Sequence, residues 1–181
     1  MRIVSGKFKG RRVTAPKKLP VRPTTDMAKE ALFNILNNQF YLDEIKVLDL
    51  FAGTGNISYE FASRGTTQIT CVDKDFGCIK FINDTSKSFN MPIQTIKSDV
   101  FKFLEKTTQK ATIIFADPPY GFTLEDFIKI PHLVFNKNLL EEGGILIVEH
   151  SKHTDLSQVG NFSYSKSYGG NVFSFFEIAK K

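Results

Sequence analysis

Tryptophan is absent from the 181 residues, and only two cysteines and three histidines are present. Cys71 and Cys78 form no CxxC pair, and one lies in an apolar strand-like stretch and the other in a helical one, so a disulfide framework and a CxxC redox or zinc site are excluded and both read as small buried thiols. His132, His150 and His153 share no metal-ligand spacing with one another or with a cysteine cluster, so no metal is expected. No apolar run approaches the roughly 18 to 20 residues of a membrane span. The start, Met1 to Gly10, carries basic residues without an apolar segment behind them, unlike a secretory signal. A cytoplasmic protein with no membrane attachment is the expectation. With 41% hydrophobic and 24% charged residues, collagen-like, coiled-coil and wholly disordered chains also drop out, and 18 phenylalanines chiefly report core composition.

A chain of this length forms one domain, or one domain with an arm. Its net charge of +5 is unevenly placed. Residues 1–22 hold Arg2, Lys7, Lys9, Arg11, Arg12, Lys17, Lys18 and Arg22 and not one carboxylate, leaving 16 basic residues against all 19 acidic ones elsewhere. The expected organisation is therefore a basic arm over 1–22 that belongs to the same domain as 23–181. Such a segment, carrying Gly6, Gly10 and Pro16, suits a phosphate backbone, with Arg2, Lys7, Lys9, Arg11 and Arg12 as RNA-contact candidates. Charge alone equally describes a solvated terminus or a charged strand edge.

Beyond the arm, strand and helix patterns alternate without repeats or low-complexity tracts. Thr24, Thr25 and Asp26 supply helix-starting chemistry, and Ala28, Ala31, Leu32, Ile35 and Leu36 recur at helical spacing. Strands are expected at 46–50, 68–73, 93–97, 111–116 and 144–149, with helices near 57–64, 75–89, 100–106 and 123–135 between them. Segments 162–168 and 172–179 flank Gly169 and Gly170 with no helix between, which reads as an edge hairpin. This alternation predicts an α/β, doubly wound, mostly parallel sheet with helices on both faces and a ligand crevice at the carboxyl ends of the strands.

Acidic residues stand at that edge: Asp49 in the first strand, Asp73 closing the second, Asp99 just past the third. Each alone is explained by an N-cap or loop aspartate. Together with Gly53 and Gly55 they mark a nucleotide-cofactor site, where Asp73, 20 residues after Gly53, is placed to accept ribose hydroxyls. The sixth position of the glycine pattern is Ser58, and a carboxylate heads the loop Asp49-Leu-Phe-Ala-Gly-Thr-Gly55. That suits a cofactor bearing an amino group and a sulfonium, S-adenosylmethionine, better than a pyrophosphate. Asp99 is then placed to accept from the adenine amine, a role compatible with helix capping.

The strand at 111–116 runs into Asp117-Pro-Pro-Tyr120. Pro118 and Pro119 fix φ, bias Asp117 away from helix and donate no backbone hydrogen bond, so the turn is rigid and presents acceptors. The Asp117 carboxylate and the Pro118 carbonyl can take both hydrogens of an exocyclic amine, and Tyr120 offers a ring for a base to stack on. This is the chemistry of methyl transfer to nitrogen by positioning and electrostatics. Phe51 and Phe122 flank the expected site, as pocket lining or as core. Tyr168 and Asn171 read as turn residues.

These motifs resemble the class I S-adenosylmethionine-dependent amino-methyltransferases, and the whole chain is similar to the bacterial RsmD-type family of 16S rRNA guanine-N2 methyltransferases. The likeness runs through Arg2-Ile-Val-Ser-Gly6, Gly10-Arg-Arg12, Arg22-Pro-Thr24, Lys29 to Leu36, Asp49 to Gly55, Ser63-Arg-Gly65 and Asp117 to Tyr120. It implies a Rossmann-like seven-stranded sheet with the last strand antiparallel. It implies cofactor contacts from Arg22, Thr24, Asp49, Phe51, Ala52, Gly53, Thr54, Gly55, Asp73, Asp99 and Asp117, with the methionine part near 22–24 and 49–55. Asp117, Pro118, Pro119 and Tyr120 would hold the target amine, at the family position guanine 966 of the small ribosomal subunit. Asp73 replaces the usual glutamate, Lys29 the usual arginine, losing any bidentate contact there, and Ile57-Ser-Tyr-Glu60 a smaller stretch. Adenine-N6 or cytosine-N4 methylation of DNA and glutamine methylation of protein share the chemistry, but a chain consumed by its catalytic sheet leaves no room for a DNA-recognition domain. An RNA-binding assembly protein and a dinucleotide oxidoreductase are the readings outside methyl transfer. Nothing requires a protein partner or more than a monomer.

Overall fold

A computed structural model describes residues 1–19 and 24–179. The elements in chain order are α1 (Asp26–Asn37), β1 (Lys46–Leu50), α2 (Asn56–Ser63), β2 (Gln68–Asp73), α3 (Phe76–Ser88), β3 (Ile93–Lys97), α4 (Val100–Lys106), β4 (Ala111–Ala116), α5 (Leu124–Asn136), β5 (Leu140–Ser151), β6 (Phe162–Tyr168) and β7 (Asn171–Glu177). Thr25 starts α1 by accepting from the Ala28 amide, Asp75 does the same for α3, and Thr123 closes a capping box with Asp126 at α5.

The seven strands lie in the order β3-β2-β1-β4-β5-β7-β6. β1 to β5 are mutually parallel, and β7 runs antiparallel to both neighbours. Alternate strand residues build two cores. Val47, Ile113, Phe115, Ile145, Ile147, Phe173 and Phe175 pack with α1, α2 and α3, while Leu48, Leu50, Ile114, Ala116, Leu146, Val148 and Phe176 pack with α4 and α5. Helices thus cover both faces, as expected from continuous apolar strands. Among the described residues no helix is long and apolar enough to cross a membrane. Cys71 and Cys78 are both free and buried.

Two boundaries depart from the sequence pattern. β5 begins at Leu140 rather than 144, because the Gly143-Gly144 pair makes a bulge instead of a turn: pairing passes from Ala111↔Leu140 to Ile113↔Ile145. Gly143 has φ +72°, and a side chain at Gly144 would place its Cβ 2.7 Å from the Thr112 carbonyl. The second hairpin strand runs 171–177 rather than 172–179.

The basic segment is docked rather than free. The Ile3 amide donates to Arg11 O at 2.9 Å, Val13 N to Met1 O at 3.0 Å, and Lys7 N to Ser63 O at 2.7 Å. Ile3 and Val13 enter the core beside α1 and α2, each worth about 2 kcal/mol of apolar burial. Every residue of α2 is consequently buried, between sheet and arm, so Tyr59 and Glu60 fill space that smaller residues would leave open.

Candidate active site

The chain leaves β1 towards β2 on one side and finds β4 on the other, so the crevice of a doubly wound sheet opens at the carboxyl end of β1. The loop there is tightly shaped. Phe51, Gly53 and Gly55 all have positive φ, and a Cβ on Gly55 would meet the Tyr59 ring at 2.9 Å. Ala52 N donates to Val72 O at 3.1 Å, and Gly53 N to Asp73 Oδ2 at 2.8 Å. The other Asp73 oxygen accepts from Asp75 N at 2.8 Å. Asp73 therefore braces the two loops together. Asp99 caps α4, accepting from Lys102 N at 3.0 Å.

Three carboxylates converge on the α1–α2 side of the sheet, from adjacent strands. Asp49 lies within β1, buried beneath the loop, and accepts from Ser58 Oγ at 2.6 Å; burial pushes its carboxyl up to about 7 despite that bond. Asp117 follows β4, half-buried, and burial first, then Glu149 and Asp49, hold it well above the usual carboxylate range. Glu149, near the end of β5, is pushed by burial to about 7, against hydrogen bonds from Thr24 Oγ1 at 2.8 Å and Asn171 Nδ2 at 2.7 Å. Among the described residues none of the three forms an ion pair. Among the described residues this cluster of buried carboxyl groups has no cation beside it.

The turn after β4 keeps its acceptors on offer. Pro119 O accepts from Phe122 N at 3.2 Å, closing the turn, and the Asp117 amide joins Leu50 O at 3.4 Å. Among the described residues no donor reaches the Asp117 carboxylate or the Pro118 carbonyl. Tyr120 stands 76% exposed at the rim. Phe51 and Phe122 pack edge to face at 5.3 Å and share Phe101, Phe122 lying over it at 5.8 Å. Both rings belong to an aromatic wall beside Asp117, continuous with the α4–α5 core.

Behind the loop lies a polar network that sequence reasoning missed. Lys29, buried in α1, donates to Arg2 O at 2.6 Å and Asn56 Oδ1 at 2.9 Å and pairs with Glu60 at 3.3 Å. Glu60 also receives Val4 N, Ser5 N and Arg64 Nε. Asn56 passes the link on, donating to Thr24 O at 3.1 Å. Lys29 thus compensates for the expected loss of bidentate contact by three single ones. Glu149 carried the same signal as Asp49 and Asp73, an acid at a strand's carboxyl end. Asn171 gave none, since its turn position explained it.

The arm candidates are divided in space. Arg2 and Arg12 pair across an antiparallel bridge and line, with Met1 and Asp26, a cleft of about 480 Å³ beside the glycine loop, where Thr54 contacts Met1. Lys7 and Arg11 lie over Phe8, and Arg11 also over Phe89, while Lys9 is exposed nearby. Arg22 lies outside the described residues; Thr24, Asp49, Phe51, Ala52, Gly53, Thr54, Gly55, Asp73, Asp99 and Asp117 all stand at or behind the carboxyl edge of the sheet.

Comparison with known proteins shows the family. A family model described as conserved hypothetical protein 95 matches residues 1–177. The chain is 34% identical over 164 residues to YlbH of Bacillus subtilis, covering 87% of this chain and 86% of that one. It is 31% identical over 153 residues to ribosomal RNA small subunit methyltransferase D of Escherichia coli, covering 82% and 71%. A Thermus thermophilus protein of solved structure superimposes with a TM-score of 0.85 at 25% identity, over 98% of this chain and 99% of that one. The chain belongs to the conserved hypothetical protein 95 family, the RsmD-type rRNA methyltransferases.

Proposed function

We propose that this chain transfers a methyl group from S-adenosylmethionine to the exocyclic N2 of a guanine in small-subunit rRNA, with the family position, guanine 966, as target. One observation carries the reading: a rigid turn whose two acceptors, Asp117 and Pro118 O, meet no donor among the described residues borders a buried carboxylate site with no cation among those residues. The cofactor fits that site by charge and supplies the methyl group together with sulfonium and amino cations.

The residues then divide the work. The loop 51–55 gives backbone approach at its left-handed positions, with Asp49 and Thr24 behind it, and Arg22 is assigned to the methionine part of the cofactor by the family resemblance alone. Asp73, with a lone pair left on each bound oxygen, accepts the ribose hydroxyls, and Asp99 the adenine amine. Asp117 and Pro118 O take the two amine hydrogens and aim the nitrogen lone pair at the methyl carbon, Pro119 keeps the turn stiff, and Tyr120 stacks on the base. Arg2, Lys7, Lys9, Arg11 and Arg12 hold rRNA phosphates. The protein works as a cytosolic monomer, recognising the shape of a structured RNA through the arm and rim.

Asp117→Ala tests the assignment. Methyl transfer should fall by at least about 100-fold, with cofactor affinity by calorimetry retained within about threefold. Activity surviving the substitution would overturn the role of the turn.

A further inference from the structure

Methylating an amine leaves a proton to be placed. As the nitrogen lone pair forms the N–C bond, the C–S bond breaks with its electrons on sulfur; the positive charge passes to nitrogen, and one N–H proton must leave. Resting on the reading above, we propose that Asp117 and Glu149 act as a carboxylate pair that takes this proton at Asp117, with Glu149 a positioning residue that acts through Asp117 and does not touch the base.

Register puts the two side by side. β4 and β5 are parallel, and their last matched residues are Ala116 and Val148, so Asp117, the first residue past β4, and Glu149, still in β5, come next where neighbouring strands run about 4.8 Å apart. Both follow the alternation of Phe115 and Ile147 on the α1–α2 side. Their surroundings differ. Glu149, 6% exposed, receives Thr24 Oγ1 and Asn171 Nδ2, whereas Asp117 receives no donor among the described residues. Donors favour the anion, so the pair's negative charge settles on Glu149 and an added proton settles on Asp117, the member bordering the substrate crevice. An anion beside Asp117 makes it a stronger base than an isolated aspartate, which is what a proton acceptor for an amine turned ammonium requires.

The clamp on Glu149 is itself braced, since Thr24 is held by Asn56 and Asn56 by Lys29. Among the described residues the charged group beside Glu149 is therefore Asp117, just past β4, with Asp49 of β1 on the far side of Asp117 and, relayed through Asn56 and Thr24, the Lys29–Glu60 pair from α1 and α2. His150 is the next residue on β5 and turns towards Phe127 of α5, with Nε2 on Ser174 Oγ at 2.7 Å.

Two measurements test the pair. Single-turnover methylation of small subunits by wild type and Glu149→Gln, across pH 5.5 to 8.5 at saturating cofactor, should show the acid limb moving down by about a unit or more, with the plateau lowered roughly tenfold. Carbon-13 titration of the wild-type side-chain carboxyls should show Asp117 and Glu149 titrating as one coupled pair. A uniform loss with an unmoved limb would mean that Glu149 only packs, and independent carboxyl titrations in the ordinary range would equally overturn the proposal. If Glu149→Gln shows no cooperative melt, the wild-type titration decides alone. A wild type that forms no N2-methylguanosine overturns the functional reading and the pair with it; normal methylation with an unmoved limb overturns the pair alone.

Discussion

Lys29→Met removes one charge from the network behind the glycine loop while keeping most of the side chain's volume. Lys29 is 1% exposed and Glu60 fully buried, so their 3.3 Å pair is sealed from water. Removing one partner of a buried pair costs about 3 to 5 kcal/mol, chiefly by leaving the other charge uncompensated. Here Glu60 retains Arg64 Nε at 3.0 Å and the Val4 and Ser5 amides at 2.9 and 3.0 Å, which places the cost at the lower end, about 3 kcal/mol. For a domain of this size that is a fall of about 6 to 12 °C in Tm. Urea unfolding followed by circular dichroism should show the midpoint reduced with an unchanged slope, and the double variant Lys29→Met/Glu60→Gln should be less destabilised than the sum of the singles. A loss below about 1 kcal/mol, or strict additivity, would refute the reasoning, because it would mean the pair is solvated or already compensated.

Other perturbations probe separate parts of the molecule. Asp49 and Glu149 are raised to about 7 in the folded chain, so between about pH 4 and 7 the folded state keeps protons that the unfolded chain has lost, and these groups make stability fall as pH rises through that window. A bound cation reverses the shift, so calorimetry in buffers of different ionisation enthalpy should find about one proton or more released on cofactor binding at pH 6 and markedly fewer at pH 7.5; equal release at both would contradict it. Gly6→Ala places a Cβ 1.9 Å from the Ser63 carbonyl at a φ of +82°, so it should cost at least about 2 kcal/mol and loosen the arm, read as faster hydrogen exchange at Lys7 N. Tyr120→Phe should leave kcat/KM within about twofold and Tyr120→Ala should lower it by about 5- to 100-fold, the worth of one stacked base. Equal losses in both variants would assign the hydroxyl, not the ring.

What could be read in advance followed from local chemistry. The strand ends, the glycine loop and the Asp-Pro-Pro-Tyr turn are each dictated by a few consecutive residues, and the alternation of apolar strands with capped helices specifies which end they share. Contacts between distant segments were not legible. Thr24 and Glu149 stand 125 positions apart, and Glu149 passed as an ordinary strand residue until Thr24 and Asn171 were seen to hold it. The arm read as charge because its cations outnumber Ile3 and Val13, yet those two apolar side chains dock it on α2. The strand read from 144 begins four residues earlier, because the bulge at Gly143 and Gly144 lets pairing resume at Leu140.

The central claim is tested by supplying labelled S-adenosylmethionine with four acceptors, unmodified small ribosomal subunits, naked small-subunit rRNA, DNA and total protein, followed by nucleoside analysis and mapping of the modified residue. The account predicts N2-methylguanosine, arising mainly from the subunits and at a single position. Label recovered from DNA or protein instead would contradict the substrate, and no label in any acceptor by a protein that binds the cofactor would contradict the activity itself.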